Sequence, residues 1–230
     1  MASDTGSQRQ SRPRTVRVWD IPVRVFHWLL VALIIVSFTT AQIGGNAMEI
    51  HELSGFTILT LVLFRLLWGI FGSTYARFAD FVQRPGQAIA YARSLRRGRP
   101  TFYAGHNPLG GWMIVALLTC LLVQVGTGLF ANDDIMTEGP LYDWVSKQTS
   151  DTLSEIHETN FYVLAVLIAL HVCASLYYLW GKRENLILPL FTGRKQLPEA
   201  QDAPEVRGGP LWLALLLLVL CAGGVYLLVR

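Results

Sequence analysis

Five apolar runs, near residues 22–42, 51–71, 108–131, 154–180 and 210–229, constrain this chain more than any other feature. Each is about the 20 residues that a helix needs to cross the hydrocarbon of a bilayer. In lipid only a helix or a closed barrel satisfies its own backbone, and these runs are helical in length. With 52% hydrophobic and 15% charged residues, the chain has too little polar surface for an ordinary soluble domain. The expectation is an all-α, multi-pass membrane protein. The arm MASDTGSQRQSRPRTVR ahead of the first run lacks the apolar core and small-residue cleavage site of a signal peptide, so the first helix is expected to stay in the mature protein.

Charge sets the expected orientation. Five arginines lie in the N-terminal segment through Arg24, six follow the second run (Arg77, Arg84, Arg93, Arg96, Arg97, Arg99), and Lys182, Arg183, Arg194, Lys195 and Arg207 follow the fourth. The opposite side carries Glu49, Asp133, Asp134, Glu138, Asp143 and Asp151 against a lone Lys147. The positive-inside rule then puts the N-terminus in the cytoplasm and the C-terminus outside. Arginines that flank membrane helices are explained by topology and anionic lipid, so no nucleic-acid partner is expected. Cys120, Cys173 and Cys221 sit in apolar runs with no CxxC or CxxCH, which reads as buried small apolar residues and excludes covalent haem attachment.

Four of the five histidines lie inside the spans, where ionisable side chains are costly and functional by default. His157 and His171 are fourteen residues apart on one helix. Fourteen steps of 100° fall about 40° short of four turns, so the two imidazoles share a face, roughly 21 Å apart along the axis. His51, at the outer start of the second helix, matches the depth of His157. His27, one to two turns into the first helix, matches His171. Zinc usually wants several protein ligands at one point, which two distant pairs do not offer. Haem iron needs two axial ligands, and its apolar disc suits a helix bundle. Two bis-histidine b-type haems therefore fit the count and the spacing, and with no open iron position the expected function is electron transfer. The competing class is a haem-free membrane scaffold or a transporter that uses the histidines as proton relays.

The stretches VWDIPVRVFHWLL, HELSG, RLLWGIFGSTYARFADF, GHNPLGGWMIVALL and HET…ALHV resemble those of the bacterial cytochrome b561 and nickel-hydrogenase b-type cytochrome family over residues 15–185. The resemblance implies a four-helix transmembrane bundle binding two haems, with His27, His51, His157 and His171 as iron ligands. It further implies residence in the bacterial inner membrane and electron exchange between the quinone pool and another redox protein. That partner would be a periplasmic c-type cytochrome or a hydrogenase or dehydrogenase subunit, in which case the chain serves as the membrane subunit of an oxidoreductase. The domain plan is a polar arm (1–14), the di-haem unit (15–185), a cytoplasmic linker (186–209) and an additional C-terminal transmembrane helix (210–230). That last helix, which the smallest members lack, holds no ionisable residue and reads as an anchor or docking face.

Several residues leave alternatives open. Arg65, fourteen residues after His51, either meets a propionate of the inner haem or snorkels to the headgroups. Gly55, Gly126 and Gly128 either admit the porphyrin plane or serve close helix packing. The tetrapeptide EIHE occurs twice, at 49–52 and 155–158, each copy placing a histidine in the first turn of an inward-running helix. Its glutamates either complement the helix dipole or, through Glu52 or Glu158, hydrogen-bond a ligand imidazole or propionate. His106, beside the expected N-cap Asn107, reads as a loop or propionate contact, with a quinone contact as the further hypothesis. PGQAIAYARSLRRGRP reads as a basic helix on the membrane surface. The acidic loop 132–151 either steers a basic redox partner or is simply solvated.

Overall fold

The chain is described by a computed structural model covering residues 14–98, 102–135, 137–197 and 206–230. The arm before residue 14, Arg99 and residues 198–205 of the expected linker lie outside the described residues.

Five long helices carry the apolar runs: α1 (Ile21–Ile43), α2 (Met48–Phe71), α5 (Pro108–Gly128), α6 (Lys147–Gly181) and α8 (Leu211–Leu228). All five are long and apolar enough to cross a membrane. Between α2 and α5 come a single turn, α3 (Phe78–Phe81), and the basic helix α4 (Pro85–Arg96); after α6 comes the short α7 (Leu188–Thr192). The caps follow from sequence. Asp20 accepts from Val23 N at 2.7 Å with Pro22 in the first turn, and Asn107 accepts from Gly110 N at 2.8 Å ahead of Pro108.

The largest departure from expectation is the start of α6. It begins at Lys147, two turns before residue 154, because Ser146 caps it by accepting from Thr149 N. The polar run KQTSDTLSE is helical, and the second EIHE lies more than two turns inside the helix rather than in its first turn. A second departure is a two-stranded antiparallel ribbon, β1 (Arg14–Arg17) against β2 (Arg194–Leu197), which pairs Arg17 with Arg194. Gly193 O, accepting from Val18 N and Trp19 N, continues that pairing into the start of α1. The ribbon brings the N-terminal and post-α6 basic residues to one end of the bundle, and α4 joins them through a hydrogen bond of 2.7 Å between the Tyr91 and Tyr178 hydroxyls. Burial and this bond push the Tyr91 hydroxyl well above the ordinary tyrosine range. So α4 does not merely lie on a membrane surface; it docks on α5 with Ala88 and Tyr91 buried.

The long helices pack α1 on α2, α5 on α6, and α2 on α5 and α8. With three neighbours α2 is the central helix, and Trp68 on it is fully buried. The last helix is therefore more than an anchor: Ala214, Leu217, Cys221 and Val225 are buried in the common core along α2. Residues just ahead of it are tied to the α2–α3 turn, where Thr74 N and Thr74 Oγ1 donate to Arg207 O at 3.1 and 3.2 Å. By contrast, α6 packs its backbone closely along α5 and makes no extensive backbone approach to α1 or α2. Cys120 and Cys221 are buried as expected, whereas Cys173 is exposed, because it lies on a face of α6 that no neighbouring helix covers.

Candidate functional site

Across the gap between α6 and the α1–α2 pair, histidine side chains reach one another at two levels. The His51 and His157 ring centroids are 6.2 Å apart near the acidic end of the bundle. Those of His27 and His171 are 6.5 Å apart near the basic end. The depth matching read from the sequence is thus the pairing seen, and α6 supplies one member of each couple.

The hydrogen bonds of the acidic-end pair fix its tautomers. His51 Nδ1 lies 2.9 Å from Ser37 O, and His157 Nδ1 lies 2.8 Å from Gln124 O. A backbone carbonyl only accepts, so both Nδ1 atoms carry the proton and both Nε2 atoms keep a free lone pair. Of the two roles open to Glu52 and Glu158, a hydrogen bond to a ligand imidazole is not the one seen at Nδ1: the carbonyls of α1 and α5 make that contact, and no residue type announces a carbonyl acceptor. Gln124 also donates from Nε2 to His157 O at 3.0 Å, and Asn160 Nδ2 donates to Gln124 Oε1 at 2.6 Å and to Cys120 O at 3.0 Å. This polar patch inside apolar helices clamps α6 to α5 beside His157.

The three glycines divide. A Cβ on Gly128 would stand 2.9 Å from His157 Cε1 and 3.1 Å from Nδ1, so its missing side chain makes room for the imidazole itself. Nothing lies within 4 Å of where a Cβ would stand on Gly55 or Gly126.

At the basic end, His27 Nδ1 is buried without a partner. Arg65 is 3% exposed, its guanidinium over the rings of Phe78 at 5.2 Å and Phe81 at 5.8 Å, with Nη1 buried and unpartnered. Snorkelling to headgroups is thereby overturned, since the group is enclosed by α3. Beside it Asp20, also buried, accepts from Trp68 Nε1 at 2.9 Å and from Ser73 Oγ. His106 packs between Trp19 and Phe81, centroids 4.7 and 4.8 Å away, with Nδ1 unpartnered. Burial first, then the charge of Arg65, pushes its imidazole down to about 3. Lys195 is buried against Glu184 at 2.7 Å.

The acidic loop is partly neutralised: Lys147 pairs with Asp134 at 2.5 Å and Asp151 at 2.7 Å. Among the described residues no three His, Cys, Asp or Glu side chains converge as a metal site, so only two-ligand couples are offered.

A helical membrane bundle with two stacked imidazole couples in its interior is the class of protein this arrangement defines. The family model of the prokaryotic cytochrome b561 matches residues 18–193, and the chain belongs to that family. It is a multi-pass membrane electron-transfer protein of the b-type cytochromes, which carry haem b. It is similar to proteins named "Probable Ni/Fe-hydrogenase B-type cytochrome subunit" from Bradyrhizobium diazoefficiens (22% identical, 85% of this chain and 92% of that one) and Rhizobium leguminosarum bv. viciae (20%, 88% and 98%). The protein of the same name from Azotobacter vinelandii is 22% identical over 87% of this chain and 95% of its own. No solved structure matches the chain.

Proposed function

We propose that the chain carries electrons across the bacterial inner membrane through two b-type haems, His51 and His157 holding the outer and His27 and His171 the inner. The observation that carries this reading is the spacing within each couple. Metal–imidazole bonds of about 2 Å, plus roughly 1.2 Å from ring nitrogen to ring centre on each side, would put two imidazoles that share one iron about 6.4 Å apart. The 6.2 and 6.5 Å separations of the two couples bracket that value. Haem bound there would be held by the two imidazoles of a couple and would supply a one-electron carrier.

The chain's own residues fit such a group. Ser37 O and Gln124 O hold the outer imidazoles through Nδ1 and leave Nε2 free to ligate, as carbonyl acceptors do for metal-bound histidine. The open space at Gly55 and Gly126 leaves room beside the outer couple for a flat ring. Arg65 Nη1, buried without a partner, suits a propionate of the inner haem. His106 would close the same end as a propionate or quinone contact.

The orientation follows the charges: β1, α4, β2 and the residues after α6 gather their arginines and lysines at one end, read as cytoplasmic, with the C-terminus periplasmic. Residues 15–185 form the di-haem unit, 1–14 the arm, 186–209 the linker and 210–230 the added helix, which backs α2. The electron partners are the quinone pool and a periplasmic redox protein. The names of the relatives favour a hydrogenase subunit over a c-type cytochrome for the latter.

The test is the haem content of purified chain by pyridine haemochrome, with two per polypeptide and a low-spin bis-histidine spectrum expected. One haem or none, or a high-spin spectrum, counts against it.

A further inference from the structure

We propose that the cleft between α4 and α5 binds an anionic phospholipid, one acyl chain lying in the cleft and the headgroup phosphate meeting Arg93 and Arg96. None of the residues involved belongs to a histidine couple, so occupation of this site does not depend on haem.

Pro85, Ala88 and Ile89 of α4 and Trp112 of α5 line a shallow notch of about 250 Å3 that presents no polar surface. Its walls are fixed from both sides. Gly111 lets α5 come so near the end of α3 that a Cβ there would stand 2.6 Å from Phe81 O, and Trp112 Nε1 donates to Gln83 O at 3.0 Å. Farther along, the hydroxyl of the buried Tyr91 meets that of Tyr178, which also accepts from Asn107 Nδ2 at 3.0 Å. The chain before α4 and the helix itself are thereby held on α5, with the notch between them. Its lining is nevertheless open, Ile89 being 53% and Trp112 38% exposed. Trp112 lies one turn into a membrane-spanning helix, the level at which tryptophan marks the border of hydrocarbon and headgroups. An apolar recess at that border is filled more favourably by hydrocarbon chain than by water.

The adjoining charge selects the headgroup. Arg93 follows Ile89 by one turn of α4 and Arg96 by two, so the three share one side of the helix. Both arginines are exposed, and Arg84 and Arg97 add a cation at either end of α4. Among the described residues none of these four forms an ion pair, and Asp80, the acid ahead of α4, is taken by Arg77 at 2.7 Å. A guanidinium meets a phosphate through paired N–H donors. A row that runs from apolar to cationic therefore matches chain and phosphate in a phospholipid. A free anion would leave the recess uncovered, and a zwitterionic lipid would bring its own cation against the arginines.

The full chain in phosphatidylcholine nanodiscs that carry a minority of phosphatidylglycerol brominated on its acyl chains tests this. The signal is the Trp112 share of the fluorescence, taken as the difference from Trp112→Phe. Brominated phosphatidylglycerol should quench it roughly fivefold more effectively than the same fraction of brominated phosphatidylcholine. Arg93→Gln with Arg96→Gln should abolish that preference, and the corresponding lysine pair should keep most of it. Arg194→Gln, which removes a cation from the ribbon at the same end of the bundle, should leave the preference unchanged. Inorganic phosphate should not relieve the quenching. Equal quenching by the two lipids, a preference that survives the glutamine pair, one that Arg194→Gln removes as fully, or relief by inorganic phosphate overturns the proposal.

Discussion

His51 and His157 face each other from α2 and α6 with ring centroids 6.2 Å apart and planes at 78°, each ring steered by a backbone carbonyl of a further helix. Four helices thus contribute to one couple: two supply rings, and α1 and α5 supply the acceptors that orient them. On the proposed reading, removal of one ring takes away one iron ligand without touching the other level, about 21 Å away along α6. His51→Ala or His157→Ala is expected to halve the haem content, from two to one per chain, and the remaining haem should keep its low-spin spectrum. Loss of both at once would mean that the levels are not independent.

Gly128→Ala acts through the imidazole rather than through the helix. A methyl group 2.9 Å from His157 Cε1 forces the ring away and lengthens the bond from its Nδ1 to Gln124 O. Overpacking of this kind costs about 1–3 kcal/mol. The outer haem is expected to bind more weakly, measured as haem lost to apomyoglobin, while the inner haem is retained at the wild-type rate.

Asp20 joins three elements at the basic end: the first turn of α1, Trp68 of α2 and Ser73 of the turn that follows. Asp20→Ala strands those buried donors, at about 1–3 kcal/mol for each group left unsatisfied. A fall in the unfolding midpoint, followed by circular dichroism in detergent, should be clearly larger for Asp20→Ala than for Asp20→Asn, which keeps an acceptor.

Asn160 offers a parallel test within the apolar region. Its Nδ2 donates to Cys120 O and Gln124 Oε1, and Cys120 Sγ donates to its Oδ1 at 3.2 Å. Asn160→Leu leaves the amide oxygen of Gln124 without that donor beside His157 O. The expected loss is on the order of 1 kcal/mol, since interhelical hydrogen bonds in membranes are modest, together with a changed low-temperature EPR signature of one haem and not the other.

On α8, Ala214 is 4% exposed against α2. Ala214→Phe should separate the two helices and lower thermal stability by about 1–3 kcal/mol, whereas Leu215→Phe, on the 55% exposed outer face, should leave it unchanged. Equal effects from the two would show that α8 does not depend on its contact with α2.

Much of this molecule is written in its sequence because the bilayer is a strict solvent. Hydrocarbon thickness sets the length of each apolar run, which made the spans readable to within a few residues except at α6. There the helix continues outward through polar residues that hydropathy cannot distinguish from a loop, since water imposes no such length. The histidine couples were legible because helical periodicity is rigid: fourteen residues return to one face, and depth then matches partners.

What the sequence alone determined is the class of chain, its five crossings and which histidines can meet. Tertiary structure decided the rest, namely that Ser37 O and Gln124 O rather than glutamates receive the imidazole protons, that Arg65 is enclosed by Phe78 and Phe81, and that α8 is part of the core. The physical reason is that carbonyl acceptors, enclosure and helix neighbours are properties of space between segments. A local pattern fixes which way a side chain leaves its own helix, and only packing fixes what it finds there.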